Sequence, residues 1–337
     1  MGSSIESRVE SGERKSMQSL PQSCAAPPVV NWTAGQLLLI FWLHLACSLL
    51  VFVIFRQSGL IQILYGDEVL QAIRQPDGGP EAELAGIRVG LWVSCLALVP
   101  QLLLALAVVR LGGATRLADV GLTVRGLAQQ VKAGLLFAAI FAPGAYGIQA
   151  VAMMAHQALG GTAEPHPFSK VGGAGLPPLE WGLLIGSAVL VAPLWEEFFY
   201  RGLVQPWVID RGAVGGGLAL LAAAVLTVLS RERSLLAALK GEQPLWLELI
   251  PVAVLGLAAV VYALLLRRSP SEPAAGLFAS AVLFAWIHAR VWPSPVPLLW
   301  LALGLGWLRW RSGSLVGPIV CHAAFNAIAC AAMLWHQ

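Results

Sequence analysis

The sequence predicts an all-α fold, a polytopic integral membrane bundle of about eight or nine transmembrane helices. Of the 337 residues, 58% are hydrophobic and only 12% are charged, and the mean hydropathy is +0.75. Soluble domains carry about twice that charged fraction. The charges are gathered in short clusters, and the uncharged stretches between them approach the ~20 residues that cross a bilayer.

Nine apolar stretches are candidate spans. The stretch at 213–230 is rich in Ala and Gly, and the one at 296–308 is short with prolines at its start. One of the nine could therefore be a re-entrant or interfacial segment. In chain order the candidates are 34–55, 87–109, 133–156, 181–203, 213–230, 247–266, 275–290, 296–308 and 315–335.

The first 33 residues are polar and rich in Ser, Glu and Arg, without the order of a signal peptide. We expect a flexible tail over 1–33, membrane helices and loops over 34–180, and a second membrane-embedded region over 181–335. Within the second region, 57–86 is acidic and predicts an exposed loop. The Gly- and Pro-rich stretch 157–180 is either a mobile flap or a plain connection.

Composition argues against several classes of protein. The net charge of +3 is spread over loops and does not form the basic cluster that is typical of nucleic-acid-binding proteins. The five cysteines form no CxxC pair, which argues against a cysteine metal cluster or a cross-linked secreted fold. No internal repeat is visible, unlike many secondary transporters. An excess of Lys and Arg on the side of the N-terminus favours a cytoplasmic N-terminus in a protein of the cell membrane.

Three short motifs place polar groups inside apolar stretches. Burying an ionisable group at bilayer depth costs from ~3 to more than 10 kcal/mol. The polar side chains of each motif are therefore expected to have interaction partners or a function. The motifs are Glu196-Glu197-x-x-x-Arg201, Phe284-x-x-x-His288 and His322-x-x-x-Asn326.

Helix geometry predicts how these groups pair. Residues four apart share a face, so Glu197 can pair with Arg201, and His322 can act together with Asn326. Consecutive residues diverge by ~100°, so Glu196 is expected to face a different partner. Pro193 and Gly202 predict a bent or loosened helix around the glutamates.

Each motif alone has a structural explanation. Glu197 and Arg201 could be a buried ion pair that fixes helix packing, and His288 an interfacial histidine. His322 and Asn326 could bridge membrane helices. Three such motifs in one chain favour a catalytic site, because the residue types are those that activate water and bind an oxyanion.

The chemistry that these residues support is hydrolysis. Glu196 is the expected general base, and His288 would orient the same water. His322 and Asn326 would donate hydrogen bonds to the oxygen of a tetrahedral intermediate. Alternatively, Glu196, His288 and His322 could bind one divalent metal such as zinc, although the HExxH signature is absent.

The three motifs, in this order and each in an apolar stretch, resemble the CPBP family of CAAX prenyl proteases and bacteriocin-processing enzymes, also called the ABI family. The resemblance covers roughly 181–335. It implies an all-helical intramembrane protease, usually described as a metalloprotease, with a metal-free glutamate mechanism as the competing account. The implied catalytic residues are Glu196, Glu197, His288, His322 and Asn326, and the implied supporting residues are Arg201 and Phe284.

The chain departs from the family pattern in the long gap between Arg201 and Phe284. The excess predicts an additional helical hairpin within 213–266, and it requires the glutamate helix to continue past Arg201. We expect an endopeptidase that hydrolyses membrane-associated, possibly lipid-modified proteins, with the bilayer and a membrane-bound peptide as its partners. The alternative is a non-enzymatic membrane immunity or scaffold protein with the same fold.

Overall fold

The computed structural model describes residues 30–74, 79–113, 115–162, 176–268 and 273–335, and every regular element in these ranges is helical. Seven of the described helices are long and apolar enough to cross a membrane, which confirms the predicted all-α membrane fold. The helices are α1 Ala34–Gln57, α2 Leu60–Arg74, α3 Gly79–Leu111, α4 Leu127–Ala158, α5 Pro178–Asp210, α6 Gly212–Ser230, α7 Glu232–Leu239, α8 Leu245–Arg268, α9 Ala274–Trp286, α10 Pro295–Ser312 and α11 Val316–Trp335.

Each of the nine candidate spans overlaps a helix. The two that fall outside the seven are 275–290, which contains most of the 13-residue α9 and the turn after it, and 296–308, which lies within the 18-residue α10. Neither meets the length and hydropathy of a full span, so the total of eight or nine crossings stays a prediction. The Ala- and Gly-rich stretch 213–230, one of the two less certain candidate spans, is the 19-residue α6.

Two expectations about the N-terminal region were wrong. Most of 57–86, predicted as a loop, is helical in α2 and α3, although its described acidic side chains are exposed. The predicted tail also extends too far, because Trp32 is fully buried and its Nε1 donates to the carbonyl of Leu203, 3.0 Å away. Residues 1–29 of the tail and 163–175 of the predicted flap lie outside the described residues.

Helices α5, α9 and α11, which carry the three motifs, are held together by close packing. Helix α11 packs against α4 and α10, α9 packs against α6 and α10, and the main hydrophobic cluster is built on α5. Small residues permit the close approaches: a Cβ on Gly134 of α4 would lie 2.6 Å from the carbonyl oxygen of Gly317 in α11. Such small-residue contacts are typical of packed membrane helices.

Helix α5 runs without interruption to Asp210, nine residues beyond Arg201 in the numbering. The continuation that the sequence required past Arg201 is therefore present. Directly after it, α6 and α8 form two long helices over the range of the predicted hairpin. That this hairpin is an addition to the family's fold stays a prediction.

Candidate active site

Helix α5 is widened before its two glutamates and again from the second glutamate onward. Ser187–Val191 and Glu197–Val204 are π-helical, with the Ala192 N–H bonded to Ser187 O and the Gln205 N–H bonded to Tyr200 O. These i→i−5 bonds are the π pattern, which occurs mostly near functional sites. Prolines at 193 and 206 follow the two segments. The loosened helix predicted from the sequence is confirmed.

Asn326 of α11 is bonded to the first π segment. Its Nδ2 donates to the carbonyl oxygen of Ala188 at 2.7 Å. In the π register that carbonyl would accept from residue 193, but Pro193 has no N–H to donate. Because the Ala192 N–H is already bonded to Ser187, the helix leaves the Ala188 carbonyl without a backbone donor. Asn326 supplies the missing hydrogen bond with one of its two N–H groups.

Glu197 is fully buried and holds two cationic or polar partners through one oxygen. Its Oε1 lies 3.1 Å from Arg201 Nη1 and 2.8 Å from His322 Nδ1. The predicted i,i+4 pair is therefore present, and His322 joins it from α11. Glu197 Oε2 and both Arg201 Nη atoms make no well-formed hydrogen bond within the described residues, so this pair is held chiefly by charge.

His322 lies between the two glutamates. Its Nδ1 contacts Glu197, while its Nε2 lies 3.9 Å from Glu196 Oε2. The glutamates face different atoms, as expected from the ~100° step, but both atoms belong to one imidazole ring. A carboxylate oxygen only accepts hydrogen bonds, so Glu197 fixes the hydrogen on Nδ1 and orients the ring.

Glu196 and Glu197 differ sharply in exposure. The Glu196 side chain is 21% exposed, whereas that of Glu197 is 0% exposed. Glu196 is therefore the carboxylate that water and a substrate can reach. Glu197 is placed to hold other groups in position.

Phe284 forms the centre of the aromatic packing around the site. The Arg201 guanidinium lies over its ring at 3.9 Å from the centroid, a cation–π contact that offsets part of the cost of burying the charge. The rings of His288 and His322 meet Phe284 with centroid distances of 5.5 and 5.9 Å. Phe284 thus links α9 to both of the other motif helices.

His288 follows the end of α9 and is partly buried. Its Nδ1 is 3.2 Å from the carbonyl oxygen of Phe284. Because a carbonyl only accepts, this contact places the hydrogen on Nδ1 and leaves Nε2 with its lone pair. Glu196 and His322 are both within electrostatic range of the ring.

A metal-binding set was the alternative predicted for Glu196, His288 and His322. Among the described residues, which include all three, no group of three or more His, Cys, Asp or Glu side chains is arranged to hold a metal ion. The three side chains are therefore not brought together as one ligand set in this structure.

Sequence reasoning missed two partners of the site. The acceptor of Asn326 is a backbone carbonyl, which motif spacing cannot reveal. The second is the ring contact between His44 of α1 and the residue before Glu196. The His44 ring stacks on Trp195, directly before Glu196, at 4.3 Å between centroids. A lone histidine in an apolar span was the available signal.

Comparison with known protein families gives a match to the family described as Type II CAAX prenyl endopeptidase Rce1-like, over residues 178–269 and 255–328. These ranges contain all three motifs and agree with the resemblance drawn from the sequence. Neither the curated proteins nor the solved structures give a match to this chain.

Proposed function

We propose that this chain is an intramembrane endopeptidase using glutamate-activated water, since residues 178–269 and 255–328 match the Rce1-like family of type II CAAX prenyl endopeptidases. Its substrates would be membrane-associated proteins, with lipid-modified C-termini as the first class to test. The observation that carries the proposal is the His322 ring between a buried Glu197 and an accessible Glu196.

In the proposed reaction Glu196 acts as the general base. It takes one proton from a water molecule, while His288 Nε2 accepts a hydrogen bond from the other O–H. The water oxygen attacks the peptide carbonyl carbon. When the C–N bond breaks, Glu196 returns its proton to the leaving amine, so the carboxylate is regenerated.

His322 and Asn326 would stabilise the oxyanion of the tetrahedral intermediate. With a proton on each nitrogen, His322 donates Nδ1–H to Glu197 and presents Nε2–H to the developing negative charge. Asn326 contributes its second N–H, because the first is bonded to Ala188. Glu197, Arg201 and the Phe284 ring keep His322 in place.

Location and topology are part of the proposal. The chain would lie in the cell membrane with its N-terminus in the cytoplasm, as the distribution of Lys and Arg favours. The α6–α8 hairpin would be an addition within the family's fold.

The experiment uses the full chain purified and reconstituted in liposomes. A farnesylated peptide that ends in a CAAX sequence is the probe, and mass spectrometry detects the released C-terminal fragment. We expect cleavage by the native chain and a loss of about 100-fold or more in Glu196→Gln. Equal cleavage by the native chain and Glu196→Gln would contradict the proposal. The proposal would also fail if the native chain cleaves neither the farnesylated peptide nor unprenylated membrane peptides.

A further inference from the structure

Arg231 joins three parts of the fold at one end of the α6–α8 hairpin. It lies between α6 and α7. Its Nε and Nη2 donate to Glu248 Oε2 at 2.9 and 2.6 Å, and its Nη1 donates to the carbonyl oxygen of Ala289 at 3.3 Å. Ala289 directly follows His288, so this arginine reaches the backbone beside a proposed catalytic residue.

The Arg231–Glu248 pair is well shielded and further supported. The Arg231 side chain is 11% exposed and that of Glu248 is 7% exposed. Gln243 Nε2 donates to the second oxygen of Glu248 at 3.3 Å. Glu248 lies in the first turn of α8, where the helix dipole favours a negative charge. Bonds between charged groups of this kind are short and strong.

The turn that carries His288 is held to the end of α9 by local hydrogen bonds. The His288 N–H bonds Ala285 O and the Ala289 N–H bonds Trp286 O, so both amides are used by the end of α9. Carbonyls at a helix C-terminus have no intrahelical donor, and an arginine can satisfy them. The Ala289 carbonyl, in a fully buried residue, receives that donor from Arg231.

Apolar packing places the hairpin against the same turn. One hydrophobic cluster combines hairpin residues with α9 and the residue that follows His288. Its buried members are Ala223, Leu255, Ala258, Val282, Ala285, Trp286 and Ala289. The hairpin therefore contacts the His288 segment through both a buried charge pair and an apolar surface.

From these contacts we propose that the α6–α8 hairpin is a positioning element of the active site and that Arg231, held by Glu248, fixes the turn that carries His288. Arg231 acts through His288 and touches no reacting atom. The inference rests on the proposed function for its effect on catalysis. Its effect on the geometry of the turn can be measured separately.

The kinetic test compares Arg231→Ala with Arg233→Ala, a change of an exposed arginine in the same connection. Because a misplaced catalytic group costs up to about 100-fold, we expect Arg231→Ala to lower kcat by about 10- to 100-fold while KM stays within about twofold. Arg233→Ala should match the native chain. Unchanged kcat in Arg231→Ala, or a loss confined to KM, would overturn the inference.

A thiol-labelling test reads the turn without requiring activity. His288→Cys is introduced into a chain whose five native cysteines are replaced by alanine, and the maleimide labelling rate is measured in liposomes. Adding Arg231→Ala should accelerate labelling several-fold, and adding Arg233→Ala should leave it unchanged. Equal rates with and without Arg231 would overturn the inference. Faster labelling, together with no peptide cleavage by the native chain, would support the inference while the proposed function fails.

Should Arg231→Ala fail to fold, Glu248→Gln replaces it in both tests. Glutamine keeps an oxygen acceptor for Arg231 but removes the negative charge. The hydrogen bond to the guanidinium therefore weakens, while the size of the side chain stays nearly the same. The same direction of change, with smaller size, is expected in kcat and in labelling. No change in either measurement would contradict the positioning role.

Discussion

At the scale of single residues, the two adjacent glutamates lie in different surroundings, from which we infer different roles. Glu197 is fully buried against Arg201 and His322, whereas Glu196 is partly exposed and makes only a 3.9 Å approach to His322. Removing one partner of a buried ion pair leaves the other charge uncompensated. Removing the partly exposed Glu196 carboxylate leaves no buried charge uncompensated.

This contrast predicts different losses of stability for the two glutamines. Glu197→Gln should lower the free energy of unfolding by about 3–5 kcal/mol, because the buried Arg201 loses its counter-charge. Glu196→Gln should change it by less than about 1 kcal/mol. Thermal unfolding in detergent measures both, and equal losses would contradict the assignment of a structural role to Glu197 alone.

A second residue-scale expectation concerns Arg201, which holds Glu197 and lies over Phe284. Arg201→Lys keeps the charge but loses the flat guanidinium, which stacks on the ring. We expect a loss of stability between that of the native chain and that of Glu197→Gln, in the same unfolding experiment. A lysine variant as stable as the native chain would show that charge alone suffices.

At the scale of elements, the form of α5 depends on α11. Pro193 denies the Ala188 carbonyl a backbone donor, and Asn326 replaces it from the neighbouring helix. Asn326→Ala should therefore cost about 1–3 kcal/mol, the penalty of a buried unsatisfied carbonyl.

The same explanation predicts a rescue. Pro193→Ala restores an N–H at residue 193, so Asn326→Ala should cost less in the Pro193→Ala background than in the native chain. A double-mutant cycle on the unfolding free energy measures this coupling. Additive losses would show that Pro193 is not the reason why Ala188 needs Asn326.

The contact between α4 and α11 gives a further element-scale prediction. A Cβ at Gly134 would meet the backbone of Gly317 and the side chain of Val320, whereas a Cβ at Gly147 of the same helix would meet nothing within 4 Å. Gly134→Ala should cost about 1–3 kcal/mol by overpacking. Gly147→Ala should be neutral or slightly stabilising. Thermal unfolding of the two variants side by side tests this, and equal effects would contradict the close approach.

At the scale of the whole molecule, the sequence predicted the contacts and distortions that lie within a single helix. Spacing and composition predict the Glu197–Arg201 pair, the widened helix near Pro193 and the mainly helical structure of the nine apolar stretches. The meeting of both glutamates with one imidazole could not be predicted, because it depends on how α5 and α11 cross. The burial of Trp32 and the bond from Arg231 to Ala289 are likewise long-range contacts without a spacing signal.

The central claim is that Glu196 activates water for peptide hydrolysis, and the most direct measurement is N-terminal proteomics of membranes that express the native chain or Glu196→Gln at equal levels. Glu232→Gln, a change of an exposed glutamate between α6 and α8, is the control. We predict that specific cleavage products present with the native chain and with Glu232→Gln disappear with Glu196→Gln, and these products would also identify the substrate. Identical products in all three membranes would contradict the catalytic account and favour the scaffold or immunity alternative.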